Sequence, residues 1–240
     1  MKVRIYQIDH EKDAQKVAFL DYATTIERCG KVDESIYHQV YGGEVDCENL
    51  ESLYALCNSD ERPKGYYGES MSPSNIVAIE KNGYEFCYFC DSVGFKETNF
   101  DTAKVDTSDM MKVLIMENEK LPYAAEIRND FRAMQSVVGG LIEPIYFDET
   151  NQALLFCNEE FLLNGFMPNR VIPELGICIH GTFFVCGNTF DEEGEEVSCS
   201  LTDEQIAAFT EKFSDFMVIV RVGDPDEDED ESETEEVSMT

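Results

Sequence analysis

The chain begins twice. Met1-Lys2-Val3-Arg4-Ile5 has a near copy in Met111-Lys112-Val113-Leu114-Ile115, and each is a short β-rich run of the kind that opens a domain. Between them lies Glu97 to Asp109, polar and poor in large apolar residues, which reads as a linker, with Met110 or Met111 as an old second start. Beyond that pentapeptide no repeat is visible, so the chain reads as a fusion of two units and not as a solenoid. At 240 residues, each half has enough chain to bury a core. The expected boundaries are 1–98 for the first domain, 99–109 for the linker, 110–223 for the second domain and 224–240 for a tail.

Local patterns fill in both halves. Val3 to Ile8 alternates as a strand, and Ser35 to Val45 reads as a second strand broken by a turn at Gly42-Gly43. Leu50, Leu53, Tyr54 and Cys57 recur at i, i+3, i+4 and i+7, one face of a helix. Ser74 to Glu80 and Tyr84 to Asp91 flank Asn82-Gly83, a strong hairpin signal. In the second half, strands are expected at 111–116, 123–127, 142–147, 153–157 and 177–186. A helix runs from Asp130 to Val138 and stops at Gly139-Gly140. Thr202-Asp203-Glu204-Gln205 is a capping box, opening a helix with Ile206, Ala207, Phe209 and Phe213 on its apolar face. Met217 to Val222 adds a last strand. The expected class is α+β: two mixed α/β domains, each a small, predominantly antiparallel sheet with one or two helices, then a disordered acidic C-terminal tail.

Charge narrows the function. Fifty Asp and Glu oppose 18 Lys and Arg, a net charge of -32. That sign repels phosphate backbones and anionic membranes, so neither nucleic acid nor a membrane is expected as a direct partner. No run approaches the ~18–20 apolar residues of a membrane span, and the N-terminus lacks the apolar stretch of a signal peptide. A cytoplasmic location in a bacterial host cell is the expectation. Residues 224–240 contain no base and almost nothing apolar, so disorder is expected there. Asp226, Asp228 and Asp230 are spaced like calcium-loop ligands, but Glu231 stands where the loop needs Gly and Val237 where it needs Glu. Nine cysteines at irregular spacing do not form a disulfide framework and are expected to be reduced and mostly buried.

The order of several motifs carries a resemblance. Ile5-Tyr6-Gln7-Ile8, Phe19-Leu20-Asp21-Tyr22, Gly68-Glu69-Ser70-Met71-Ser72-Pro73-Ser74-Asn75 and Cys90-Asp91-Ser92-Val93-Gly94-Phe95 make the first half resemble the YodL-like domain. The second half carries Met111-Lys112-Val113-Leu114-Ile115, Gly139-Gly140-Leu141-Ile142-Glu143, Cys157-Asn158-Glu159-Glu160, Pro168-Asn169-Arg170 and Gly181-Thr182-Phe183-Phe184-Val185-Cys186-Gly187. It resembles an uncharacterised domain family of phages and integrative elements of Firmicutes. What the resemblance implies is a mobile-element protein of the anti-defence kind. It supplies no residue roles.

Candidate chemistry is sparse. Cys87 and Cys90 form a C-x-x-C, but residues i and i+3 of a strand face opposite ways, and no second ligand pair accompanies them. His180 beside Cys178 and Cys186 offers a Cys–His dyad or a hydrogen-bonded structural histidine. No nucleophile, metal or phosphate-loop motif is present. No catalytic residue, metal or cofactor is therefore expected. Asn158, Glu159, Glu160, Asn169 and Arg170 form the densest polar cluster. They read either as a small-ligand or nucleotide-sensing pocket, or structurally, with Arg170 clamping Glu159 or Glu160 and Asn158 capping a turn.

Two acidic runs remain: Glu44, Asp46, Glu48 and Glu51, and Asp191, Glu192, Glu193, Glu195 and Glu196. Extended acids carry one charge per ~3.3 Å, near the ~3.4 Å per phosphate of one DNA strand. The leading expectation is a non-enzymatic anti-defence inhibitor of the anti-CRISPR or anti-restriction type. Its acids would occupy the basic nucleic-acid channel of a host CRISPR effector or restriction enzyme.

Overall fold

The computed structural model of the chain describes residues 1–148, 150 and 152–217. The part of the expected last strand beyond Met217, and the tail from 224 to 240, lie outside the described residues. The first half comprises β1 (Lys2–Ile8), α1 (Tyr22–Cys29), β2 (Tyr37–Glu44), α2 (Leu50–Cys57), β3 (Ile76–Lys81), β4 (Tyr84–Cys90) and β5 (Phe95–Thr98). The second comprises β6 (Met110–Met116), β7 (Tyr123–Arg128), α3 (Phe131–Val138), β8 (Ile142–Ile145), β9 (Ala153–Asn158), β10 (Pro168–Ile172), β11 (Ile177–His180), β12 (Phe183–Phe190), β13 (Glu196–Cys199) and α4 (Asp203–Lys212). The class is α+β with mostly antiparallel strands.

Several boundaries follow from local chemistry. The β3–β4 turn uses Asn82 (φ 54°) and Gly83 (φ 77°), two residue types that tolerate the left-handed region a tight hairpin demands. Asp130 caps α3 by accepting from the Ala133 amide, and Gly139 closes it. Thr202 and Gln205 satisfy each other's orphan amides at the start of α4. The expected strand 177–186 is instead two strands in different sheets. Gly181, at φ 72°, turns the chain between β11, which pairs β10, and β12, which joins the main sheet.

The two halves do not keep separate sheets. Among the described residues eleven strands form one sheet in the order β5-β4-β3-β1-β2-β7-β6-β12-β9-β8, with β13 paired to β12. The seam is β2 against β7, antiparallel, Gly42 opposite Glu126 and Gly43 opposite Ala125. Gly42-Gly43 is therefore not the expected turn but continuous strand. A Cβ on Gly42 would lie 2.6 Å from Glu126 Oε2 across the seam, so glycine there lets the halves approach, while one on Gly43 would lie 2.7 Å from the Tyr41 hydroxyl of its own strand. Outward from the seam each half places its second strand, then its first, so the repeated pentapeptide occupies matching positions in β1 and β6.

Both sheet faces are covered, which is why so many strands read as apolar runs. One face carries a single core spanning both halves. Val3, Ile5, Val77 and Ile79 meet Val113, Ile115, Leu154 and Phe184 there, beneath Leu53 of α2 and Val137 of α3. The other face holds two cores, one around Tyr6, Tyr37 and Phe89 beside α1, the other around Leu114, Leu155, Phe183 and Phe213 beside α4. The expected linker contributes to the first of these by burying Phe100 and Val105. Among the described residues no helix is long and apolar enough to cross a membrane.

Candidate functional site

A groove of about 940 Å³ opens where the halves meet. It lies between the end of β2 and the turn joining β6 to β7. Glu44 and Asp46 line it from the β2 end, Asp60, Glu61, Arg62 and Lys64 from the segment after α2, and Glu117, Lys120 and Tyr123 from the β6–β7 hairpin. Tyr41 forms part of its wall.

Its bases are largely engaged. Lys120 pairs with Glu117 at 3.0 Å, and the Tyr123 hydroxyl donates to that carboxylate at 2.7 Å. Arg62 donates to Gly68 O and Ser70 Oγ, and the Met1 ammonium donates to Val45 O at 2.7 Å. Lys64, Arg62 and the Met1 ammonium have no carboxylate partner among the described residues. Glu44, Asp46, Asp60 and Glu61 form no ion pair among the described residues either, but with Glu117 they face the Met1 ammonium, Arg62, Lys64 and Lys120, so the charges of the groove nearly balance. Glu48 and Glu51 are exposed next to it, Glu51 in the first turn of α2.

The second acidic run forms the loop of the β12–β13 hairpin. Asp191 shapes it, its carboxylate accepting from the amides of Glu193 and Glu195, both at 2.9 Å. Glu192, Glu193 and Glu195 are exposed, and Glu196 accepts from the Tyr146 hydroxyl. None of the nine acids expected to contact a partner pairs with Lys or Arg among the described residues. The cations serve other acids, as in Lys2–Glu80, Lys31–Glu34, Lys112–Asp203, Arg128–Asp109 and Lys212–Glu174.

The polar cluster at 158–170 is divided. Asn158 is buried, its side chain accepting from the Glu160 amide and reaching Val138 O, while Glu159 and Glu160 point to solvent. Asn169 and Arg170 are buried elsewhere, on β10. Asn169 donates to Met116 O at 3.0 Å and Gly181 O at 2.7 Å. The Arg170 guanidinium donates to Glu117 O, Lys120 O, Phe213 O and Asn169 Oδ1, and lies 5.2 Å from the Phe216 ring centre. Its partners are carbonyls and an amide, not Glu159 or Glu160. Burial pushes its pKa down.

Cys87 and Cys90 sit on opposite faces of β4, in different cores, so they do not share a ligand. Burial pushes the Cys87 thiol up to about 12 and the Cys90 thiol up to about 11, which leaves both protonated and poorly nucleophilic near neutrality. His180 bonds Phe166 O through Nδ1 at 2.9 Å and packs against Phe161, while Cys186 is buried within β12. No metal-binding group of three or more His, Cys, Asp or Glu occurs among the described residues.

Sequence reasoning found Glu44 and Asp46 but missed the rest of the groove. Tyr41, Asp60, Glu61, Glu117 and Tyr123 come from separate segments and share no spacing. The dipeptide Gly42-Gly43 was the available signal, read as a turn when it marks close approach of two strands.

Two family models match the chain. Residues 2–100 match the YodL-like domain, the family the N-terminal motifs resemble. Residues 111–214 match a domain of unknown function, DUF3846. The two are fused here in one chain, and the matches stop on either side of the 101–110 segment. No curated protein and no solved structure matches it.

Proposed function

We propose that this two-domain fusion acts without catalysis, as an anti-defence inhibitor from a phage or mobile element. It binds the basic nucleic-acid channel of a host CRISPR effector or restriction enzyme in the cytoplasm. The observation that supports this most is the distribution of ion pairs. Glu44, Asp46, Glu48, Glu51 and the Asp191–Glu196 loop stand at the surface without Lys or Arg partners among the described residues, in a chain of net charge -32. Carboxylates already paired would have to exchange one cation for another. Unpaired ones gain a full interaction with a partner's Lys and Arg, and their summed field steers the encounter. Asn158, Asn169 and Arg170 spend their polar atoms on main chain and, for the last two, on each other, so the small-ligand alternative draws no comparable support.

The test is DNA cleavage by purified restriction enzymes and RNA-guided effectors, with and without this protein, at low and physiological ionic strength. Inhibition that salt weakens and excess DNA relieves is the expected result. Absence of inhibition at low salt, or inhibition indifferent to both, contradicts the proposal.

A further inference from the structure

We propose that an apolar patch, formed by the turn after β9 and the tip of the β6–β7 hairpin, seats a partner segment of Leu-like side chains flanked by Lys or Arg. This rests on the acidic-surface function proposed above and adds its apolar anchor. Leu162 is 69% exposed, Leu163 83% and Leu121 66%, with Met167 and Leu141 exposed as well. Single exposed leucines are ordinary, but a cluster of them marks an interaction surface. Hydrogen bonds bring these residues together from three segments. Asn118 Nδ2 donates to Met167 O at 3.1 Å and Pro168 O at 2.9 Å, which sets the hairpin of Leu121 beside Met167. The Glu159 amide donates to Leu141 O at 2.8 Å, which sets Leu141 beside the turn. The turn itself has a fixed shape. Phe161 packs into the core beside α4, Phe166 lies against Gly181, and the Leu163 and Asn164 amides donate to Glu160 O at 2.9 and 3.0 Å. The two phenylalanines root the segment and leave Leu162 and Leu163 outside.

Charge selects the occupant. Glu119, Glu159 and Glu160 flank the leucines, stand exposed and form no ion pair among the described residues, while Lys120 is taken by Glu117. Between Arg132 and Lys212 the sequence holds Arg170 as its only Lys or Arg, and that side chain is buried. A wholly apolar segment would cover Glu159 and Glu160 without pairing them, which is costly. A second copy in an isologous contact would set these acids against themselves. Apolar side chains with Lys or Arg beside them satisfy the leucines and the carboxylates together. The two parts then act at different stages: the acids speed the encounter, and the desolvated leucines hold the complex.

A short fluorescent peptide of alternating Leu and Lys, titrated into the full chain, tests this against its counterpart with Gln for every Leu. The Leu peptide should bind at least about tenfold tighter than the Gln peptide. Combined Leu162→Ser and Leu163→Ser should remove that margin while leaving binding of the Gln peptide and the melting temperature unchanged. Leu121→Ser, on the separate hairpin, should reduce the margin by about threefold. Tyr84→Ser with Val93→Ser, exposed apolar residues of the first half, should change it by less than about twofold. Equal binding of the two peptides, a margin that survives either leucine variant, or an equal loss in the Tyr84 and Val93 variant would overturn the anchor while leaving the acidic surface standing. Concentration-dependent dimers of the unaltered chain that the leucine substitutions abolish would assign the patch to self-association, and would also overturn it. Failure of the Gln peptide to bind at low salt would overturn both proposals.

Discussion

Arg170 is a cation buried among main-chain carbonyls in a chain rich in unused carboxylates. Its fork holds Glu117 O, Lys120 O and Phe213 O together, tying the β6–β7 hairpin to β10 and to the end of α4. Asn169 beside it joins β6 to the turn at Gly181. The planar guanidinium suits several fixed acceptors at once, which a single ammonium cannot reproduce. Arg170→Lys is therefore expected to destabilise the protein by about 2–3 kcal/mol, since it leaves carbonyls buried and unpaired. Urea unfolding measures this, and a loss below about 0.5 kcal/mol would show that the brace contributes little. Asn169 and Arg170 stood out in the sequence as part of a polar cluster with Asn158, Glu159 and Glu160. Their role was not, because main-chain carbonyls leave no signature in a side-chain pattern. For the same reason Glu159 and Glu160 seemed natural partners for Arg170, though Glu160 gives only its amide to Asn158.

Elements whose ends are written in local chemistry were readable. Asn82-Gly83, the Asp130 to Gly139 helix and the Thr202 capping box each depend on residues a few positions apart. The β2–β7 seam depends on residues more than eighty positions apart, and no local pattern announces it. Gly-Gly serves equally for a turn and for close strand contact, and only the partner strand decides between them. Gly43→Ala tests the space it leaves beside Tyr41. The added methyl meets the hydroxyl and ring of that fully buried tyrosine, so a cost of about 1–3 kcal/mol is expected. Gly42→Ala should cost less, because its nearest contacts are the ends of Glu126 and Gln39, which have more freedom to shift. Thermal unfolding of both variants checks the order, and equal or reversed costs would place the tight contact elsewhere.

At the scale of the whole molecule, the doubled beginning marks two strands at matching positions, β1 and β6, but not the start of two sheets. Val3 and Ile5 of one copy and Val113 and Ile115 of the other face the same core, so separating the halves would expose apolar surface from both. Proteolysis between residues 99 and 109 should therefore leave fragments that elute together under native conditions. Fragments that separate and stay folded would favour autonomous domains. The same sheet carries acids without a Lys or Arg partner among the described residues, with Glu44 and Asp46 in the groove and Asp191 to Glu196 on the β12–β13 loop. The most direct measurement is inhibition of DNA cleavage as a function of salt. It compares the full chain with a variant carrying Gln or Asn at Glu44, Asp46, Glu48, Glu51, Asp191, Glu192, Glu193, Glu195 and Glu196. Each exposed carboxylate contributes about 0.2–1 kcal/mol, so the variant should inhibit at least tenfold less well at low salt, with a flatter dependence on ionic strength. Equal inhibition by both proteins at every salt concentration would contradict the claim that these acids carry the function.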